Sequence, residues 1–375
     1  MAGLSARHGR ADSTNSTEEE GMMDRNPAAG IGAAASVAAV AGAAAMRVGP
    51  AARRRAVLAA GVLCGAWPAA AQQAGGAFPS RPLRIIVPFS AGGSTDILGR
   101  ICAQILTERL GQPVVVENIT GAGGTIGASR VVEAAPDGYT LLAGTPGSIA
   151  INPQLQPRIP YQPLRDLEPV VFVGDSPAVV VVRRDSPLRG LRDLVARARA
   201  EPGRLTFASA GIGSFAHLSA ELFKWRAGVD LVHVPYRGTA PAATDLIAGR
   251  VDTMFENYPS VQAYLAAGEM RALAIAARRR SALLPEVPTA AEEGVPDYES
   301  SSWFGLFAPA RTPRAAIEAV NGAIAAAIRE PALAQRLAGL GVEPVGGTPE
   351  AFREYVARRI EETGAIIRTA GITAQ

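Results

Sequence analysis

Two glycine-rich turns constrain this fold most. The first, Pro88-Phe89-Ser90-Ala91-Gly92-Gly93-Ser94-Thr95-Asp96, follows the apolar run 83–87 and precedes a segment whose Leu98, Ile101, Cys102 and Ile105 share one helical face. The second, Gly121-Ala122-Gly123-Gly124-Thr125-Ile126-Gly127, follows the run 114–118. A strand that turns through glycine into a helix leaves the first helical N–H groups without intrahelical partners and aims the positive end of the helix dipole past the strand end. Backbone alone then makes an anion site, because glycine lets a ligand approach closely. Ser94 and Asp96 also read as caps of the first helix, and Ser214 as a cap farther on.

Residues 1–71 read as an address rather than a domain. An acidic start with Glu18-Glu19-Glu20 gives way to an Ala/Gly run too poor in large apolar residues for a spanning helix. From Met46 come a basic segment, Arg53-Arg54-Arg55, an apolar segment, and the small-residue site Ala69-Ala70-Ala71, the three parts of a secretory signal peptide over about 46–71. Arg54-Arg55 also permits twin-arginine export. The formal charge of +3 and the pI near 9.1 owe much to this region, which holds seven arginines against five acids. The remainder is close to neutral, which gives no reason to expect nucleic acid or an anionic membrane surface as partner. Cys102 is the one cysteine left after cleavage and reads as a small core residue.

The rest of the chain alternates. Strands at 83–87, 114–118 and 139–143 flank helices at 95–110 and 126–135, with Gly111-Gln112-Pro113 and Pro136-Asp137-Gly138 as punctuation. After an irregular stretch around 152–163 come two apolar runs, 169–173 and 178–182, the second reading as a strand buried on both faces. A second series follows, with helices at 190–200, 215–226, 240–249 and 261–267 and strands at 205–209, 230–234, 251–255 and 271–276. A returning strand at 302–307 and three helices at 313–328, 331–340 and 349–370 end the chain. Thr312-Pro313 and Thr348-Pro349 read as capped helix starts. The pattern predicts an α/β protein, each domain a mainly parallel sheet flanked by helices. The expected division is 78–181 plus 303–375 as one domain and 182–302 as the other.

Several ordered segments carry a resemblance: PFSAGGSTD (88–96), VVVEN with GAGGTIG (114–127), PDGYTLL (136–142), SAGIGSFAHLSAELFK (209–224), HVPYRGTAPAATDLIAGRVD (233–252), LPEVPTAAEEG (284–294) and SSWFGLFAPARTP (301–313). Together they resemble the substrate-binding receptors of tripartite tricarboxylate transporters, the Bug receptors. The resemblance implies a periplasmic two-domain binding protein of the Venus-flytrap, type II kind. It also implies a small carboxylate held in the interdomain cleft, mainly by backbone amides and ordered waters at the first two glycine-rich loops, and delivery to membrane transport subunits by a monomer. Matched to that pattern, the ligand-binding residues are Phe89, Ser90, Gly92, Gly93, Ser94, Thr95 and Asp96 in the first loop, and Gly123 and Gly124 in the second. Thr145, Asn152, Ser209, Ser214, His217, Tyr236 and Arg237 complete the set, and Glu256 and Asn257 fall along the cleft. The chain departs from the pattern at Ile119-Thr120, where the family has Arg-Pro, at Arg237, where it has Lys, and around Thr363, where it has an aromatic residue.

Taken alone, several of these residues have simpler uses. His217, three positions after Ser214, and His233, between two valines, read as structural, and Arg237 as an exposed side chain. The rival reading is a dinucleotide-binding oxidoreductase, because Gly121-Ala122-Gly123 with Gly127 imitates the nucleotide fingerprint. Against it, the turn follows the second strand, and the third strand ends in Gly144-Thr145 with no acid for a ribose. No Gly-x-Ser-x-Gly elbow surrounds Ser209 or Ser214. Two histidines and one cysteine outside the leader make no ligand cluster. No catalytic residue, cofactor or metal is expected; a role as ligand sensor for a membrane kinase is compatible with the same site.

Overall fold

The computed structural model describes residues 78–374, Pro157 apart, which belong to one compact unit, Ala74–Gln375. The expected signal peptide lies outside the described residues. Among the described residues, no helix is long and apolar enough to cross a membrane.

The chain opens as predicted. Strand β1 (Leu83–Val87) leads through the first glycine-rich turn into α1 (Ser94–Leu110), which ends at Gly111 in the left-handed conformation (φ 70°). Strand β2 (Val114–Asn118), α2 (Thr125–Val132) and β3 (Thr140–Gly144) follow, with β1 parallel to both β2 and β3. Alternation along β1 sends side chains to opposite faces of the sheet. Ile85 and Val87 join Leu98, Ile101, Cys102 and Leu106 of α1, while Ile86 joins Ala128 and Val131 of α2. Cys102 is buried and free, as a core residue should be.

The middle of the chain departs from the prediction. The two apolar runs at 169–173 and 178–182 are one strand, β4 (Leu167–Arg183), continuous through Gly174-Asp175-Ser176-Pro177. The reason lies across the sheet. A returning strand, β9 (Ser301–Pro309), pairs antiparallel with β4 from Leu167 to Pro177 and absorbs the irregular residues in two register shifts. The stretch 152–163, expected to be irregular, opens with a helical turn at Asn152–Leu155 and is flanked by turns at Gly147–Ile151 and Pro163–Asp166.

The second βα series builds on the far end of β4. Helix α3 (Leu191–Ala200), β5 (Thr206–Ser209), α4 (Phe215–Ala227), β6 (Val232–Pro235), α5 (Thr239–Ile247) and β7 (Thr253–Asn257) come in order, with β5 parallel to β6 and β7. Helix α6 (Tyr258–Ala266) starts three residues earlier than expected, because Pro259 lies in its first turn, where a missing N–H costs nothing. Strand β8 (Met270–Ile275) pairs with β4 on the side away from β7. Val180 and Val182 meet Phe207, Phe223 and Phe255 on one face; Val179 and Val181 meet Met254, Leu246 and Val261 on the other. The valine run is buried on both faces, as expected.

After β9 the chain returns to the first sheet. Helix α7 (Arg314–Ile328) covers it with Ile317, Val320 and Ile324. Thr312 is not its cap: its hydroxyl donates to Pro309 O at 2.8 Å, and the helix starts after Pro313. Helix α8 (Pro331–Gly339), the short β10 (Glu343–Pro344) and α9 (Pro349–Thr369) complete the fold, and here Thr348 does cap, accepting from Ala351 N. The strand order is β2-β1-β3-β9-β4-β7-β5-β6. The βα strands run parallel; every antiparallel pair involves β4 or β9. The carboxyl ends of β1, β2 and β3 therefore carry one set of turns and those of β5, β6 and β7 another.

Candidate functional site

The first turn is braced from below. Helix α1 is capped by the extended backbone of Gly93, with no side-chain cap, so Ser94 occupies the first helical position instead of capping it. Asp96 holds the turn closed, its carboxylate accepting from Gly92 N at 3.1 Å, Asn118 Nδ2 at 3.0 Å and Arg100 Nε at 2.9 Å. Burial alone would push its pKa up, yet the bonds from Arg100, Asn118 and Gly92 win and hold it below the usual carboxylate range. Asn118 Nδ2 also donates to Phe89 O at 3.0 Å, tying the first turn to β2.

The second turn needs its glycines for contact as much as for conformation. Gly123 lies at φ 60°, and Asn152 Nδ2 donates to Gly123 O at 2.9 Å and to Ala122 O at 3.3 Å. A Cβ on Gly123 would overlap Ile212 O, and one on Gly213 (φ 75°) would overlap the Asn152 side chain. The second turn thus lies directly against the loop 210–214 from the other set. The first turn likewise meets the loop 235–239: a Cβ on Gly238 would overlap Ser90 Oγ, and one on Gly93 would touch Thr239 Oγ1 at 3.5 Å.

On the facing side, Ser214 caps α4 as predicted, accepting from His217 N at 3.3 Å. His217 Nδ1 accepts from Gly213 N at 3.2 Å, and its ring stacks on His233 at 4.4 Å between centroids. Burial pushes the His217 pKa down to about 3, with His233 and Lys224 acting in the same direction, so the ring is neutral and shapes the loop. Ser209 Oγ lies 2.6 Å from His233 Nε2 and accepts from Gly211 N at 3.1 Å. The Tyr236 hydroxyl donates to Asp245 Oδ2 at 2.7 Å, and Arg237 is exposed.

Where the two sets of turns face each other they enclose a narrow cavity of about 30 Å³, room for about two water molecules. Of the residues predicted from sequence, Phe89, Gly93, Ser94, Thr95, Thr145 and Ser214 line it, together with Glu256 and Asn257. Ser90, Gly92, Asp96, Gly123, Gly124, Asn152, Ser209, His217, Tyr236 and Arg237 are not among its lining residues. Sequence reasoning missed Ala210, Phe215, Ala216, Thr239 and Ser302 on the wall. Thr239 carried a usable signal: it opens a helix immediately after Gly238, as Ser94 does after Gly93. A roomier hollow of about 350 Å³ along Arg100, Gln104, Thr107, Glu108 and Val114 is an open trough on the outer face, away from both sets of turns.

The wall offers neutral hydrogen-bonding groups and one carboxylate, with no lysine or arginine. Thr145 is 3% exposed, and its hydroxyl is buried with no partner among the described residues. Ser94 N donates across the gap to Ser260 Oγ at 3.0 Å, and Ser260 Oγ donates to Asn257 Oδ1 at 3.0 Å. Thr239 Oγ1 donates to Glu256 Oε1 at 3.0 Å. Burial pushes the Glu256 pKa up to about 7, against the lowering effect of Thr239, Asn257 and Ser260. Among the described residues, no cluster of three or more His, Cys, Asp or Glu side chains is placed to hold a metal ion.

The sequence profile of the tripartite tricarboxylate transporter family receptors matches residues 98–372. The chain belongs to that family. Protein BugT of Bordetella pertussis is 42% identical to this receptor over 295 residues, covering 78% of this chain and 90% of BugT. Among solved structures, an R. palustris protein with adipate superposes with a TM-score of 0.77 at 38% identity, covering 79% of this chain and 99% of that one. MatC from Rhodopseudomonas palustris with bound malate gives 0.74 at 34% identity, covering 77% and 100%. The receptor is therefore a periplasmic solute-binding protein and not an enzyme, which removes the dinucleotide reading of the second turn.

Proposed function

We propose that this receptor captures a small carboxylate in the cleft between two lobes and delivers it to membrane transport subunits. The lobes are residues 78–181 with 303–375, and 182–302. The chain reaches the periplasm through a signal peptide within 46–71 and works as a monomer. What carries the reading is the wall itself: the start of α1 and the unpartnered Thr145 hydroxyl on one side, and the starts of α4 and α5 on the other. A carboxylate placed there meets these neutral donors, with no lysine or arginine in the wall and Glu256 as the one acidic neighbour. Adipate and malate bound to relatives support the same ligand class.

The magnitudes are adequate. A helix N-terminus contributes roughly 0.3–1 kcal/mol to an anion when exposed and up to about 2 when partly buried. Each hydrogen bond to a charged group adds about 1.5–3 kcal/mol. Two helix starts and two or three such bonds give about 4–13 kcal/mol, a range that spans the roughly 8 kcal/mol of micromolar binding. A cavity of about 30 Å³ is smaller than any such ligand, so entry requires the lobes to part, and closure then completes the contacts.

The test is a thermal-shift screen of the refolded protein against small carboxylates, with NAD and NADP included. Refolding removes any ligand carried through purification. A saturable rise in Tm with one carboxylate class is expected. A rise with the dinucleotides alone would refute the reading.

A further inference from the structure

The charge on the cavity wall is unusual for a carboxylate receptor. Among the described residues that line it, Glu256 alone has a titratable side chain. It stands at the carboxyl end of β7, 3% exposed, facing the cleft that also receives Gly93, Ser94 and Thr95 from the opposite lobe. A carboxylate has about four lone-pair sites. Thr239 Oγ1 fills one, and the remaining protein donors are the Asn257 N–H and the Ser260 hydroxyl. That last hydrogen is contested, because Asn257 Oδ1 lies 3.0 Å from Ser260 Oγ. Glu256 is left with acceptor capacity that the protein does not satisfy, in a wall with neither lysine nor arginine.

We infer that the cleft selects carboxylates bearing a second, hydrogen-bond-donating group, a hydroxyl or an ammonium, and that Glu256 is the acceptor that recognises it. This deepens the receptor reading and rests on it. A plain dicarboxylate whose first carboxylate sits at the donors of α1 brings its second toward another acceptor, which leaves both short of hydrogen bonds in a desolvated space. A hydroxyl or ammonium at that place satisfies Glu256 instead. The contrast operates while Glu256 is ionised, so it is strongest above pH 7 and fades on acidification.

The charged and titratable groups on the elements packed around Glu256 have other engagements. Asp96 of α1 is tied to Arg100. On α4, His217 is stacked on His233, and Glu221 is paired with Lys224. Asp245 of α5 is paired with Arg250 and with the Tyr236 hydroxyl. On β4, Asp175 is bonded to Ser301 and Tyr355, and Arg183 is paired with Asp185. Tyr258 of α6, whose hydroxyl is pushed up by burial, stays neutral. The groups acting on Glu256 are uncharged.

The experiment is titration calorimetry on the full chain with matched acids differing in one substituent. The sets are succinate, L-malate and L-aspartate; glutarate, 2-hydroxyglutarate and L-glutamate; 3-phenylpropionate, phenyllactate and phenylalanine. In whichever set binds, at about pH 8, the donor-bearing acid is expected to bind at least about tenfold tighter than the plain one. Glu256→Gln should reduce that ratio to about threefold or less. In the unaltered protein, lowering the pH to about 5.5 should reduce it too, a readout that needs no variant and that a purely structural role would not move. Equal affinities within a set, or a ratio unchanged by both Glu256→Gln and acidification, would overturn the inference and leave the receptor reading standing. Binding by none of the sets would overturn both.

Discussion

Glu256→Gln should make this protein sensitive to mild acid in a way the parent is not. Two buried groups titrate in opposite senses. The Glu256 pKa rises from 4.5 to about 7 on folding, so below pH 7 the folded state holds a proton that the unfolded chain does not yet bind. Acidification from 7 toward 4.5 therefore stabilises the fold through Glu256. The His217 pKa falls from 6.5 to about 3, so below pH 6.5 the unfolded chain takes up a proton that the folded state refuses, and acidification destabilises. Each group changes stability by about 1.4 kcal/mol per pH unit inside its window. Between pH 6.5 and 4.5 the two cancel in the parent. With glutamine at 256 only the histidine slope remains, so over those two units the variant should lose about 3 kcal/mol more than the parent. Guanidinium midpoints at the two pH values measure this directly, and groups common to both proteins drop out of the difference. Adding His217→Gln should remove the extra loss. Parallel pH profiles for parent and Glu256→Gln would refute the reasoning, because they would mean that Glu256 takes up its proton over the same pH range in the folded and unfolded states.

Thr145→Val replaces a buried, unpartnered hydroxyl with a methyl of similar volume, so stability should stay level or rise, by up to about 1 kcal/mol, while carboxylate affinity falls about tenfold. Calorimetry with unchanged affinity would take Thr145 out of the site. Gly213→Ala places a Cβ into Asn152 at a φ of 75°, a conformation costing about 1–2 kcal/mol for an L-residue. The larger effect should be on closure, with affinity lost by about tenfold or more. X-ray scattering should show the ligand no longer compacting the protein; normal compaction would count against the loop contact.

The turns and their order were legible because their physics is local. A strand period that breaks at glycine and resumes as a helix period needs no tertiary information, and Gly93, Ser94 and Thr95 were found that way. Gly174 and Pro177 misled for the opposite reason. They look like breaks in an apolar run, and only pairing with β9, more than a hundred residues away, carries the strand through them. Asp96 and Asn152 have the residue types of ligand contacts. Their side chains are consumed by Arg100, Asn118 and the backbone of Gly92, Ala122 and Gly123, partners whose proximity depends on how the turns fold back. Ser302 was invisible as a site residue because it joins the wall only where β9 crosses beneath both sets of turns.

On the proposed reading, the way the turns meet explains why a receptor for an anion can do without a lysine or arginine in its wall. A buried guanidinium would attract a carboxylate strongly, but it would carry its own desolvation cost whenever the cleft closed without ligand, several kcal/mol for one ion. Backbone amides at helix starts avoid this. Their direction is fixed by the fold, and water or a neighbouring hydroxyl can satisfy them, as Ser260 Oγ satisfies Ser94 N at 3.0 Å. That bond joins the start of α1 to α6 and has the strength of an ordinary neutral hydrogen bond, about 1 kcal/mol net. Around it the contact consists of glycine against backbone, at Gly123 with Ile212, and of small side chains, at Gly93 with Thr239. Such a seam closes without a large energy and reopens without one. The proposed capture of a ligand and its release to a transporter need both properties, and an exchange of Ser260 for the ligand's own acceptor at Ser94 N would couple opening to binding.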